Sequence, residues 1–98
     1  MELFDLGGRV AIVTGGNGGI GLGMAQGLAK AGAAVMIAGR DAAKSEAAAA
    51  GLRQDGAEAA AIIADVTREG DCAALIGGAV ERFSRLDILV NNAGINIR

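Results

Sequence analysis

The sequence predicts an α/β domain built on a parallel sheet, and three observations carry that prediction. Four short apolar runs alternate with three longer, Ala-rich stretches along 98 residues. The connections between them are short and carry Gly, Asp or Thr, while Pro is absent from the whole chain. The 17 Gly are unevenly spread, with a dense cluster directly after the first apolar run. Strands and helices that alternate through short loops put neighbouring strands in parallel and helices in the crossovers.

The first strand is expected over Val10 to Val13, apolar at every position and partly β-branched, as in a strand covered on both faces. A helix follows from Ile20 to Ala31, closed by Gly32 as a left-handed cap. The second strand is Val35 to Ala38. Asp41 then caps a second helix running to about Gln54, with Gly56 beyond. The Ala47–Ala50 run inside it is helix-forming and is not read as disorder. The third strand is Ala60 to Ala64. It and the second are poor in β-branched residues, so their length and flanking Gly decide for strand. Thr67 is the expected cap of a third helix reaching about Phe83. Gly77 and Gly78 in its middle each cost about 1 kcal/mol against Ala, so this helix must rely on packing. Leu86 to Val90 is the fourth strand. Right-handed crossovers through β-α-β-α-β-α-β give the strand order 3-2-1-4, half of a doubly wound Rossmann sheet in a single domain over residues 1–98.

Composition removes several classes of function. Hydrophobic residues make up 52% of the chain, which excludes a disordered tail. Phe4 and Phe83 are the only aromatic residues, so the core has to be built from Ala, Val, Ile and Leu. With no His and no Tyr, two common proton-transfer side chains are missing. The net charge is −2 and the nine Lys and Arg are scattered, so no nucleic-acid partner is expected. No apolar run approaches the roughly 20 residues of a membrane span, and no basic segment precedes an apolar one at the N-terminus. Cys72 is the single cysteine. It is read as a small packed residue in a reducing cytoplasm and not as a nucleophile, since no His is present to activate it.

The cluster Thr14-Gly15-Gly16-Asn17-Gly18-Gly19-Ile20-Gly21 lies between the first strand and the first helix. Gly16, Gly18 and Gly21 fit G-x-G-x-x-G, and Gly15, Gly19 and Gly21 fit G-x-x-x-G-x-G. Either pattern serves one purpose: a sharp turn off the strand, close approach of backbone to a pyrophosphate, and tight packing of helix on sheet. The helix N-terminus then offers unpaired N–H groups and partial positive charge to an anion. No Gly-Lys-Ser/Thr follows, which excludes a P-loop. About 20 residues on, where an NAD site would place an acidic residue, the sequence reads Ala38-Gly39-Arg40-Asp41. The planar fork of Arg40 suits a ribose 2′-phosphate. Asp41 competes for the ribose but is better placed as a helix cap. The reading therefore favours NADP over NAD.

These residues resemble the N-terminal half of the short-chain dehydrogenase/reductase family. Thr14 to Gly21 matches its T-G-x-x-x-G-I-G, Asp65-Val66 its adenine-contacting D-V, and Asn91-Asn92-Ala93-Gly94 its N-N-A-G, in order and at family spacing. The resemblance implies that Gly15, Gly19 and Gly21 shape the dinucleotide loop, and that Asn17, Gly18 and Ile20 line the phosphates and ribose. It implies that Asp65 accepts from the adenine amino group, that Val66 supplies an N–H and an apolar wall, and that Asn92, Ala93 and Gly94 pass beside the nicotinamide-side ribose. Asn91 would help fix the strand end, and Thr14 would tie the loop to the neighbouring strand.

The family's catalytic Ser, its Tyr-x-x-x-Lys pair and its catalytic Asn lie beyond N-N-A-G, and this sequence has no Tyr. No catalytic residue is assigned; Ser45 and Ser84 come too early and are expected at exposed positions. The resemblance implies an oxidoreductase moving a hydride between NAD(P) and an alcohol/carbonyl pair. Phe4-Asp5-Leu6 and Gly39-Arg40-Asp41 are similar to sugar-acid and glucose dehydrogenases of the family. These 98 residues are expected to be its dinucleotide-binding portion, inactive alone. A stand-alone dinucleotide module and a non-binding remnant are the alternatives. An uncovered sheet face, or the fourth strand as an unpaired apolar edge, is expected to promote self-association, and the parent protein is expected to be a homo-oligomer.

Overall fold

In the computed structural model, β1 (Val10–Thr14), α1 (Gly19–Lys30), β2 (Ala34–Gly39), α2 (Ala42–Gln54), β3 (Ala59–Ile63), α3 (Glu69–Phe83) and β4 (Ile88–Asn91) follow one another along the chain. The structure describes residues 6–15, 19–63 and 69–91, the side chains of 69–72 and 91 excepted. The strands form one sheet in the order β3-β2-β1-β4, and every neighbouring pair is parallel. This is the predicted Rossmann-like topology, with element ends displaced by a residue or two. The expected Thr67 cap lies outside the described residues.

Alternation along the strands divides the core in two. Val13, Val35, Ile37 and Ala59 face α1 and α2, where they meet Ala25, Ala49 and Leu52. Ile12, Met36 and Ala38 face the other way and meet Leu75 and Ala79 of α3. The third helix thus crosses to the face opposite the first two. Alanine at the helix contact points compensates for the missing aromatics, because short side chains let the helix backbones settle close to the sheet. Each fully buried Val or Ile contributes about 1.5–3 kcal/mol, and Ile12, Val13, Val35 and Ile37 are all fully buried on the two central strands.

One expectation needs correction. Ser45 is buried, not exposed: it shares the inner face of α2 with Ala49 and Leu52. β3 is an outer strand, and burial fades along it from Ala59 to an exposed Ile63.

The helix ends at the opposite edge of the sheet explain the short loops. Gly32 takes φ +105°, and a Cβ there would stand 3.1 Å from the backbone nitrogen of Gly7. Only glycine satisfies both the left-handed backbone and that approach. Ala33 then donates its N–H back to the Leu28 carbonyl at 3.1 Å, satisfying a carbonyl at the end of α1. Among the described residues, no helix is long and apolar enough to cross a membrane.

Candidate functional site

Because the strands are parallel, they all end on one edge of the sheet. Thr14 lies opposite Ala38 and Asn91, and Gly39 lies opposite Ile63. The chain builds β1, β2 and β3 outward in one direction, then returns to place β4 on the far side of β1. Open α/β sheets take ligands outside the carboxyl ends of the strands at such a reversal. Across that boundary the Thr14 hydroxyl donates to the Val90 carbonyl at 3.2 Å, the tie between loop and neighbouring strand that the sequence led us to expect.

The turn leaving β1 is anchored toward β2. Gly15 has φ +66°, and its N–H donates to the Ala38 carbonyl at 2.8 Å. Gly19 opens α1 at φ +56°, with nothing within 4 Å of where a Cβ would stand. The first turn of α1 carries no acidic side chain, so nothing there neutralises the positive end of the helix. Ile20 presents an exposed apolar side chain, and Gly21 is buried. Asn17 and Gly18, between these anchored ends, lie outside the described residues.

At the end of β2, Arg40 is exposed and has no partner among the described residues. The other described arginines are engaged. Arg9 and Arg85 pair with Asp87, Arg53 pairs with Glu46, and Arg82 lies over the Phe83 ring. Asp41 is the helix cap its position suggested: its backbone is extended and its Oδ1 accepts the Lys44 N–H at 3.0 Å. That leaves Arg40 the better-placed of the two for a ligand.

Asp65, Val66, Asn92, Ala93 and Gly94 lie outside the described residues, although the chain leaves β3 at Ile63 and β4 at Asn91 on this same edge. The sequence reading missed Ile63, which is 65% exposed at that edge. It borders a shallow cleft of about 200 Å³ reaching Ala42, Ser45 and Glu46 of α2. The strand order, which makes β3 an outer strand, was the signal that could have found it.

Chemically, the edge offers a helix N-terminus, open backbone at Gly19 and a free guanidinium at Arg40. Those are groups that hold phosphate, and they fit a dinucleotide. Neither His nor Tyr occurs anywhere in the sequence to move a proton.

Residues 9–98 match a family described as short chain dehydrogenase. The chain belongs to that family. It is 45% identical over 100 residues to gluconate 5-dehydrogenase of Gluconobacter oxydans, covering 99% of this chain and 38% of that protein. Over 91 residues it is 48% identical to the rhamnolipids biosynthesis 3-oxoacyl-(acyl-carrier-protein) reductase of Pseudomonas aeruginosa, covering 93% of this chain and 35% of the reductase. Among solved structures, the Pseudomonas aeruginosa RhlG/NADP active-site complex superposes with a TM-score of 0.88 at 45% identity, covering 99% of this chain and 38% of that one. This short-chain dehydrogenase chain thus spans little more than a third of the length of the relatives it matches.

Proposed function

We propose that the chain is the dinucleotide-binding portion of an NAD(P)-dependent oxidoreductase acting on an alcohol/carbonyl pair, with NADP preferred to NAD. One observation carries the preference: Arg40 is free beside a glycine turn that the Gly15–Ala38 hydrogen bond pins to the same strand end. The likeness to an NADP complex supports it. A sugar or sugar acid is the substrate class this reading favours, in keeping with the gluconate 5-dehydrogenase relative.

In this reading the bound cofactor would accept or supply the hydride according to its oxidation state, and the chain's own residues bind and orient it. Gly15, Asn17, Gly18, Gly19, Ile20 and Gly21 cradle the diphosphate at the start of α1. Arg40 meets the 2′-phosphate. Asp65 and Val66 take the adenine, and Asn92, Ala93 and Gly94 flank the nicotinamide-side ribose. The family's Tyr has no counterpart in the sequence, so these residues alone hold the cofactor without turning it over. We place the protein in the cytoplasm, where a lone thiol at Cys72 stays reduced. We also propose that the chain pairs with a second copy along β4, an outer strand with no charged residue and with Leu89 52% exposed. Sedimentation showing only monomer would remove that part.

The test is a titration of NADP and NAD followed by melting temperature, with Arg40→Asp beside the parent chain. NADP should raise the melting temperature more than NAD, and Arg40→Asp should abolish that difference. No shift at millimolar dinucleotide would favour the non-binding remnant. Equal loss of both cofactors in Arg40→Asp would remove the NADP preference.

A further inference from the structure

We propose that Arg53 closes the outer edge of β3 to a second copy of this chain, so that self-association is confined to the β4 edge and stops at a pair. The inference rests in part on the pairing along β4 proposed above, and the closing experiment separates the two. β3 is an outer strand of the sheet. In its register with β2, Val35 lies opposite Ala59, and the Val35 N–H donates to the Glu58 carbonyl at 2.9 Å. Neighbouring strands bond through alternate residues. The backbone groups of Ala59, Ala61 and Ile63 therefore turn away from β2, and they are the groups an arriving strand has to meet.

The first of those positions is taken. Arg53, in the last turn of α2, donates from Nη1 to the Ala59 carbonyl at 2.9 Å. Its Nη2 donates to Glu46, about two turns back on the same helix. One guanidinium thus ties helix, strand edge and carboxylate together. The pair stays in contact with water, with the side chains of Arg53 and Glu46 41% and 58% exposed. A strand laid along β3 would have to break the Arg53 bond and strip water from both charges, which is costly. Without Ala59, only Ala61 and Ile63 remain for it to pair with. β4 differs: it has no charged residue, and Leu89 is exposed on it.

The difference between the two edges decides the form of the assembly. Two copies joined β4 to β4 are related by a two-fold axis, and that contact closes on itself. β4 of one copy set against β3 of the next leaves an open edge at each end, so the contact repeats without limit. Arg53 blocks the second arrangement and leaves the first.

The experiment follows mass by sedimentation over a concentration series for the parent chain, Arg53→Met, Leu89→Lys and the double variant, with circular dichroism to follow the fold. Methionine keeps a long, helix-forming stem and removes the charge and the donor. The parent should never exceed twice the 9.6 kDa of one chain. Arg53→Met should pass that mass and keep growing with concentration. Leu89→Lys places a charge on β4, so the double variant should return to two copies at most. A parent that grows beyond two copies, or an Arg53→Met chain no larger than the parent, would overturn the proposal. Growth that survives Leu89→Lys would come from unfolding or another surface and would overturn it as well. A monomeric parent whose Arg53→Met variant pairs would uphold the closed β3 edge and remove the pairing along β4.

Discussion

Val10 and Asp87, 77 positions apart, close on each other twice. The Val10 N–H donates to Asp87 Oδ2 at 2.8 Å, and the Asp87 N–H donates to the Val10 carbonyl at 2.9 Å. Asp87 thereby joins the entry of β1 to the entry of β4, the one strand pair that reverses the direction of sheet growth. Arg85 donates to Oδ1 at 2.5 Å, and Arg9 stands at 3.6 Å.

The Arg85 hydrogen bond, the Val10 N–H and the charges of Arg85 and Arg9 hold the Asp87 carboxyl below its ordinary pKa. A group lowered on folding stabilises the fold above its unfolded pKa, and that contribution disappears as pH falls through the folded value. Asp87→Asn should therefore melt below the parent chain at neutral pH, and the gap should narrow once the pH drops below about 4. Melting curves at pH 7 and pH 3 check this; a gap that stays constant would remove the electrostatic part of the clamp.

Thr14→Val removes the hydroxyl that reaches Val90 from a buried position. Losing one such bond costs about 1 kcal/mol, or about 4–8 °C in a domain of this size. Thr14→Ser keeps the donor and should retain dinucleotide binding that Thr14→Val weakens. Equal binding by both variants would show that the tie does not shape the loop.

Ser84 is the one described non-glycine residue with positive φ, at +69°, and its N–H donates to the Val80 carbonyl at 2.7 Å to close α3. A side chain in this conformation costs about 1–2 kcal/mol, part of which glycine gives back as greater freedom in the unfolded chain. Ser84→Gly should gain about 0.5–1 kcal/mol and raise the melting temperature by about 2–8 °C. Ser84→Ala should show no such rise, because alanine meets the same left-handed strain.

The strand order was legible because crossover handedness leaves few arrangements once four strands and three helices are recognised. The Asp41 cap was legible because a cap acts within four residues. Ser45 was not. The Ala-rich stretch of α2 offers little contrast between its faces, so nothing local marks which side turns to the sheet. The Asp87–Val10 clamp joins opposite ends of the sequence, and the freedom of Arg40 emerges only when the other described arginines have been placed. Ser84 as a left-handed helix end was hidden because the residue there is not glycine. At the site, the glycine turn announced itself through composition, whereas no local motif marks Ile63, whose exposure follows from the outer place that the strand order gives β3.

Gly77 and Gly78 sit side by side in α3 but face different surroundings, so alanine should distinguish them. Nothing lies within 4 Å of a Cβ at Gly77, whereas one at Gly78 would stand 3.2 Å from Ile62 Cδ1. Gly77→Ala should gain the full helix-propensity difference, about 0.8–1 kcal/mol. Gly78→Ala should gain less, because the tip of Ile62 must shift within the cluster it forms with Ile12 and Met36. Ile62→Val removes that tip, so Gly78→Ala should stabilise the Ile62→Val chain more than the parent, with a coupling of about 0.5 kcal/mol or more. Denaturant unfolding of the four chains in this cycle gives the coupling, and additivity within error would mean that α3 does not approach β3 as closely as described.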